Sequence, residues 1–430
     1  MKKIIALLLA VLMVLSMVAC ASKTTDDTPA DTTPADTTPA DTTTEDTEKT
    51  DEPADTTTDA EPVETDGEYA VAMITDYGDI TDQSFNQTTY EACKAFCEAN
   101  GITFNYFKPA GDNTADRVAM IEKAVDEGYN VIVMPGYAFG GAIVEAAPEY
   151  KDVKFVALDV GKGDLLEAGV AAAGETYDYN PDNWNLEDYV DMSNVYCAIY
   201  QEELCGYMAG YTAVKLGYTK LGFLGGMAVP AVVRYGYGFV QGVDAAAKEL
   251  DKTVELNYVY GNMFSGDPDI TAAMDVWYQG GTQVVFACGG GIYSSAAEAA
   301  QKVGAKVIGV DVDQAGIIDS KYGDKMTVTS AMKGLAPTVK TMLTEIMAGN
   351  WDKYAGKVET LGLVSGDDPT QNYVQLPMDT TQWTDSFTQD NYKSLVKDMF
   401  DGKITVSNDI TKSAADFATV ITVDDQGKIK

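Results

Sequence analysis

From Gly67 onward the chain predicts an α/β fold of two similar lobes, each a parallel sheet covered by helices. Apolar runs of strand length recur along it, and they are apolar throughout rather than alternating, the pattern of strands buried on both faces. Segments with helical spacing separate them. The alternation continues for about 260 residues, more than one ordinary doubly wound sheet takes up, so two lobes fit better than one.

The strand runs are "YAVAMI" (69–74), "TFNYF" (103–107), "NVIVMP" (130–135) and "VKFVALD" (153–159), then "TKLGFLGG" (219–226), "VELNYVYG" (254–261), "TQVVFACGGG" (282–291) and "AKVIGVDVDQ" (305–314). Between them, "ADRVAMIEKAVDEG" puts Val118, Ile121 and Val125 on one helical face, with Gly128 where a C-terminal cap belongs. The expected lobes are 69–195 with about 331–358, and 196–330 with part of 359–430, the remainder being a C-terminal extension.

Ahead of this body, residues 1–19 read as a signal peptide: two lysines, an apolar run and small residues before Cys20. "MVAC" at 17–20 resembles a bacterial lipobox, which makes Cys20 the lipidated N-terminus and the membrane anchor. Residues 20–68 are Thr, Asp, Pro, Ala and Glu, with "DTTPA" repeated at 31–35 and 36–40; from Ala21 the segment holds 16 acids against 2 lysines. Too little apolar surface is available there to offset the entropy of ordering, and like charges extend the chain, so it reads as a disordered tether.

The 430 residues carry a formal charge of −36, which argues against nucleic acid as a partner. There is no histidine, which removes His-dependent triads, the commonest general base and most transition-metal sites. The sequence predicts no cofactor, no metal and no catalysis. Cys93, Cys97, Cys197, Cys205 and Cys288 read as small buried apolar residues, since a helical i, i+4 pair suits a disulfide poorly.

Open parallel sheets bind ligands beyond the C-terminal ends of their strands. The segments that follow the runs are "TDYGDITDQSFNQ", "PGYAFGGA", "DVGKG", "CGGGIYSS", "DVDQAG" and "AMKG". Their Asp, Gly, Asn, Phe and two Lys suit a neutral, hydroxyl-rich, partly aromatic molecule. Asp79 and Asp82 read as helix caps that face water, and Asp76, just past a strand end, as a residue pointing into a cleft. A metal cage of Asp76, Asp79 and Asp82 is the competing reading, without the spacing of an EF-hand loop. "CGGG" matches no phosphate-loop pattern, and close backbone approach to an uncharged ligand accounts for its glycines. Phe85 and Phe264 are core residues or the two sides of a sandwich for a planar ring.

"DYGDITDQSFNQ" resembles the N-terminal signature of the basic membrane protein family of substrate-binding lipoproteins, which includes purine nucleoside receptors serving ABC transporters. "VALD" (156–159), "GNMFSGDPD" (261–269), "VVFACGGG" (284–291), "GVDVDQ" (309–314) and "TSAMKG" (329–334) follow in the family's order. The resemblance implies a type I periplasmic-binding-protein fold with hinge crossovers. It also implies that Phe85 and Phe264 stack on a base, that Asp159 accepts hydrogen bonds from it, and that Asp76, Gly290, Asp311 and Lys333 hold the ribose, Lys333 balancing Asp311. Asn86 and Asp82 join them from the same signature. The expected function is an extracellular or periplasmic-face lipoprotein, monomeric, that delivers a nucleoside to an ABC transporter permease. A sugar or other small polar ligand is the alternative, followed by a carboxylate-based nucleoside hydrolase using Asp76 and Asp311, and a surface adhesin. The segment between Lys162 and Asn194 departs from the family pattern and is expected over the cleft; the region from Ser365 is also atypical.

Overall fold

The computed structural model describes residues 69–429. The signal peptide, Cys20 and the acidic tether lie outside the described residues.

The first lobe is built from β1 (Ala70–Ile74), α1 (Phe85–Asn100), β2 (Thr103–Phe107), α2 (Thr114–Asp126), β3 (Val131–Pro135), α3 (Gly140–Ala146), β4 (Lys154–Leu158), α4 (Lys162–Ala172) and β5 (Val195–Tyr200). Its six-stranded sheet has the order β11-β5-β4-β3-β1-β2, where β11 is Lys357–Leu361, and every pairing is parallel. β1 and β3 are buried along their whole length, as unbroken apolar runs require when helices cover both faces.

The second lobe follows as α5 (Glu202–Lys215), β6 (Lys220–Gly225), α6 (Pro230–Leu250), β7 (Glu255–Tyr260), α7 (Pro268–Gln279), β8 (Val284–Cys288), α8 (Tyr293–Val303), β9 (Lys306–Asp311), α9 (Ala315–Tyr322) and β10 (Thr327–Lys333). The chain then returns to the first lobe through α10 (Leu335–Met347), which packs on α1, and through β11. The second sheet reads β12-β10-β9-β8-β6-β7-β13, with the short β12 (Val374–Gln375) antiparallel to β10 and β13 (Thr422–Lys428) parallel to β7 at the outer edge. The eight strand-length runs of the sequence are eight of these strands.

Three expectations change. The lobe boundary moves from 195/196 to just after Tyr200, because β5 pairs with β4 on one side and β11 on the other. β11 likewise carries the first lobe past 358 to Leu361. On α2 the buried stripe is Arg117, Ile121 and Ala124, while Val118 and Val125 are half-buried.

The C-terminal extension is wrapped on the second lobe. Its helix α11 (Gln389–Phe400) packs on α5, and the Tyr392 hydroxyl accepts the Leu376 N–H at 2.7 Å. Asp244 of α6 pins the last stretch by accepting the N–H groups of Thr419 (2.7 Å), Val420 (2.8 Å) and Ile421 (3.3 Å) and the Thr419 hydroxyl at 2.5 Å. α5 and α6 lie backbone to backbone: a Cβ on Gly206 would strike the Tyr235 carbonyl, and one on Gly238 would strike the Glu203 backbone. All five described cysteines are buried free thiols. Among the described residues no helix is long and apolar enough to cross a membrane.

Candidate functional site

The C-terminal ends of both sheets face one cavity of about 600 Å³, and all eight candidate residues line it: Asp76, Phe85, Asn86, Asp159, Phe264, Gly290, Asp311 and Lys333. Parallel strands point their C-terminal ends the same way, so loops far apart in sequence converge there.

Asp76 leaves β1 and turns at once, its Oδ1 accepting the N–H groups of Tyr77 and Gly78 at 2.7 Å each. Arg117 braces the turn from behind, donating from Nε to the Asp76 carbonyl at 3.1 Å. Burial pushes the Asp76 carboxyl up, against the pull of those N–H groups, Asn86 and Arg117. Asp82 does cap α1, accepting the N–H groups of Ser84 (2.9 Å), Asn86 (2.9 Å) and Gln87 (3.1 Å). It does not face water, however: it is half-buried, lines the cavity, and burial raises its pKa. Asp79 is exposed as expected, but it holds the Thr81 N–H (3.1 Å) and pairs with Lys108 (3.0 Å) instead of capping the helix.

Asp159 and Asp311 end β4 and β9 in the same way, with φ of 60° and 65°. A left-handed residue other than glycine costs ~1 kcal/mol, and aspartate is among those that tolerate it best. The turn swings each carboxylate off its strand and into the cleft. Asp311 accepts the Ser84 hydroxyl at 2.5 Å on Oδ2 and stands 3.6 Å from Lys333 Nζ on Oδ1. Burial pushes its carboxyl up, opposed by Lys333 and Ser84. Lys333 hydrogen-bonds Asp159 rather than Asp311, and Asp159 Oδ1 has no hydrogen-bond partner. The expected balance of Lys333 against Asp311 is therefore a cluster in which one ammonium serves several carboxylates. The ammonium also lies 4.6 Å from the centre of the Phe85 ring. Burial works against its charge, yet Asp159, Asp311 and Glu202 raise its pKa overall.

Phe264 sits in the loop after β7, half-buried, and its position depends on the glycine loop after β8. Gly289 and Gly290 have φ of 143° and 51°; a Cβ on Gly289 would lie 2.8 Å from Phe264 Cδ1, and one on Gly290 2.7 Å from the Phe264 carbonyl. That carbonyl accepts the Gly291 N–H at 2.8 Å. The "CGGG" run is thus spent on close approach of an aromatic loop.

Further contacts cross the cleft. Gln314 donates from Nε2 to the Gln83 carbonyl at 3.1 Å, and the Tyr77 hydroxyl meets Met227 Sδ at 3.2 Å. Together with Ser84–Asp311 and Lys333–Asp159 they join the lobes. Of the charged lining residues, Asp76, Asp79, Asp82, Asp112, Asp159 and Asp311 face Lys333 as the single cation.

Sequence reasoning overlooked the wall formed by Met227, Val229, Ala231, Val232 and Tyr235, which follows β6. The strand-end rule applies to that loop as to the others and was the signal for it. The expectation for the segment 162–194 is overturned: no residue of it lines the cavity. α4 runs back over α3, and Leu166, Val170 and Tyr177 form a small core of their own with Trp184, Leu186 and Tyr189.

A family model described as "Bmp: ABC transporter substrate-binding protein PnrA-like" matches residues 69–377. The "ABC transporter nucleoside-binding protein BmpA" of Lactococcus lactis subsp. cremoris is 26% identical over 78% of this chain and 88% of its own length. "Basic membrane protein B" of Borreliella burgdorferi is 26% identical, covering 69% of this chain and 79% of that one. Among solved structures, an ABC transporter solute-binding protein from Conexibacter woesei superposes with a TM-score of 0.57 at 20% identity, over 79% of this chain and 99% of that one, a likeness of fold.

Proposed function

Because the chain belongs to the PnrA-like family of ABC transporter substrate-binding proteins, with the two-lobed fold of solute-binding proteins rather than of an enzyme, we propose that its ligand is a purine nucleoside, captured between the lobes and passed to a membrane permease. The observation that carries this reading is the pairing of Phe85 from the first lobe with Phe264 from the second on one cavity that also holds Asp76, Asp159, Asp311 and Lys333. Aromatic rings offer a flat heterocycle its stacking surface, and carboxylates offer hydroxyl and N–H groups charge-assisted hydrogen bonds, the strong kind in a cleft shielded from water. Lys333 lies over the Phe85 ring, 4.6 Å from its centre, so the same ring also offers its π face to a cation beside the ligand. A volume of about 600 Å³ lies within the range of small-molecule sites.

Ligand contacts drawn from both lobes exist only when the lobes are together, so binding shifts the population toward closure. The relative named a nucleoside-binding protein supports the ligand class. Cys20 in its lipobox-like context would hold the protein outside the membrane, with residues 21–68 as the leash. Calorimetric titration with inosine, guanosine, adenosine and ribose tests the reading. Heat from one or more nucleosides, saturating at one per chain, is expected. Heat from none of them, or from ribose alone, overturns it, the second outcome in favour of a sugar receptor.

A further inference from the structure

Lys333 is gripped by more than the residues that line the cavity. Its ammonium hydrogen-bonds Asp159 and stands 3.6 Å from Asp311 Oδ1 and 3.7 Å from Glu202 Oε1. It also lies 5.6 Å and 5.7 Å from the ring centres of Tyr200 and Tyr235. Asp159, Asp311 and Tyr235 line the cavity; Glu202 does not. Glu202 opens α5 with no exposed surface. One of its oxygens takes the Arg234 Nε–H at 2.7 Å, across the close α5–α6 contact. The other, Oε1, has no hydrogen-bond donor and is the one nearest Lys333. A buried carboxylate loses several kcal/mol of hydration, on the order of what a good partner returns, so a half-satisfied one at this place calls for a reason.

We propose that Glu202, clamped by Arg234, is a positioning residue for ligand binding: it shares the Lys333 ammonium with Asp159 and Asp311, so that both carboxylates keep acceptor positions open for the ligand. The reason is competition. A lysine ammonium has three donors on a flexible stem, and with only two carboxylates in reach it collapses onto them and consumes their lone pairs. A third anion, at nearly the same range as Asp311, pulls against that collapse and limits the ammonium to one hydrogen bond, to Asp159. The observed arrangement has that character, since Lys333 makes a hydrogen bond to Asp159 and only longer ion pairs to the other two. Arg234 fits the same scheme. It lies within the field of Asp159, and its bond to Glu202 keeps the guanidinium from turning toward that carboxylate.

The inference relies on the nucleoside reading for its probe, not for the arrangement. The purified chain is compared with E202Q, K333M and the E202Q/K333M double variant by titration with inosine, with melting curves as the check on folding. If E202Q unfolds, E202Q/R234Q, which removes both members of the buried pair, takes its place in the comparison. E202Q is expected to weaken inosine binding about tenfold, the scale of one charge-assisted contact. In the K333M background the same change is expected to do nothing more, because its effect runs through the ammonium. Independent, additive losses, or an unchanged affinity in E202Q, overturn the proposal. If the wild-type chain binds no nucleoside, the ligand reading fails alone, and the arrangement is then read without ligand. In lysine-¹⁵N-labelled protein, a slowly exchanging Nζ signal that K333M removes is expected to vanish in E202Q. Its persistence unchanged overturns the proposal.

Discussion

Replacing Phe264 with alanine probes the stacking argument directly. The ring borders the cavity on one side and rests on Gly226 and Gly289 on the other, so its loss opens space without unpairing any hydrogen bond. The loop keeps its own anchor, the Phe264 carbonyl to the Gly291 N–H at 2.8 Å. Alanine substitution of an aromatic stacked on a base costs ~1–3 kcal/mol. At about 1.4 kcal/mol per factor of ten, the Kd for inosine is expected to rise between about 5-fold and 150-fold. The folding cost stays well under the ~3–5 kcal/mol of a fully buried phenylalanine, because this ring is half-buried. Titration calorimetry of F264A with inosine, alongside a melting curve, measures both quantities. A folded F264A that binds inosine as tightly as the wild type refutes the stacking role and leaves the hydroxyl-binding carboxylates as the whole site.

The remaining predictions concern pH, the neighbouring glycine and the C-terminal tail. Glu203 is buried, with Oε2 unpartnered, and burial followed by Glu202 raises its carboxyl from an ordinary 4.5 to about 7. The folded chain therefore holds this proton to higher pH than the unfolded chain, so stability falls as pH rises from about 4.5 and levels off above about 7. E203Q is expected to remove about 2–3 kcal/mol of the stability difference between pH 5 and pH 8 in urea denaturation, and an identical difference in the variant contradicts the assignment. Gly289→Ala places a Cβ 2.8 Å from the Phe264 ring at a φ of 143°, so inosine affinity is expected to fall at least about tenfold, as measured by titration. Asp244→Ala frees the N–H groups of residues 419–421 and is expected to cost about 2–4 kcal/mol. Hydrogen exchange should quicken across Thr422–Lys428 while β1 and β4 stay protected; uniform quickening would mean that the tail and body unfold together.

The strands were legible because a strand buried on both faces has to be apolar throughout, and "VIVMP" or "VVFAC" admits few other readings. The site was legible for a topological reason. Once the sheets are parallel, Asp76, Asp159, Gly290, Asp311 and Lys333 all lie at or just past strand ends and must face the same way, while Phe264 lies in the loop after β7 and Phe85 opens α1. What stayed hidden depends on how two elements lie against each other. Glu202 and Arg234 sit on helices rich in small and aromatic residues, and only the α5–α6 contact turns those charges into a pair. Which carboxylate Lys333 bonds is decided by the spacing of two sheets, a quantity no single motif contains. The lobe boundary was misplaced because "VYCAIY" runs into Glu202 without a break, so that strand and crossover read alike. β13, "TVDDQGK", carries no apolar run and is a strand because β7 offers it an edge and Asp244 fixes its approach.

The most direct measurement is a crystal structure of the chain grown with inosine. The account predicts the hypoxanthine ring between Phe85 and Phe264, an N–H of the base on Asp159, and ribose hydroxyls within hydrogen-bond reach of Asp311, Lys333 and Asp76. A nucleoside bound elsewhere, or one inside the cavity with neither ring against its base, would contradict it.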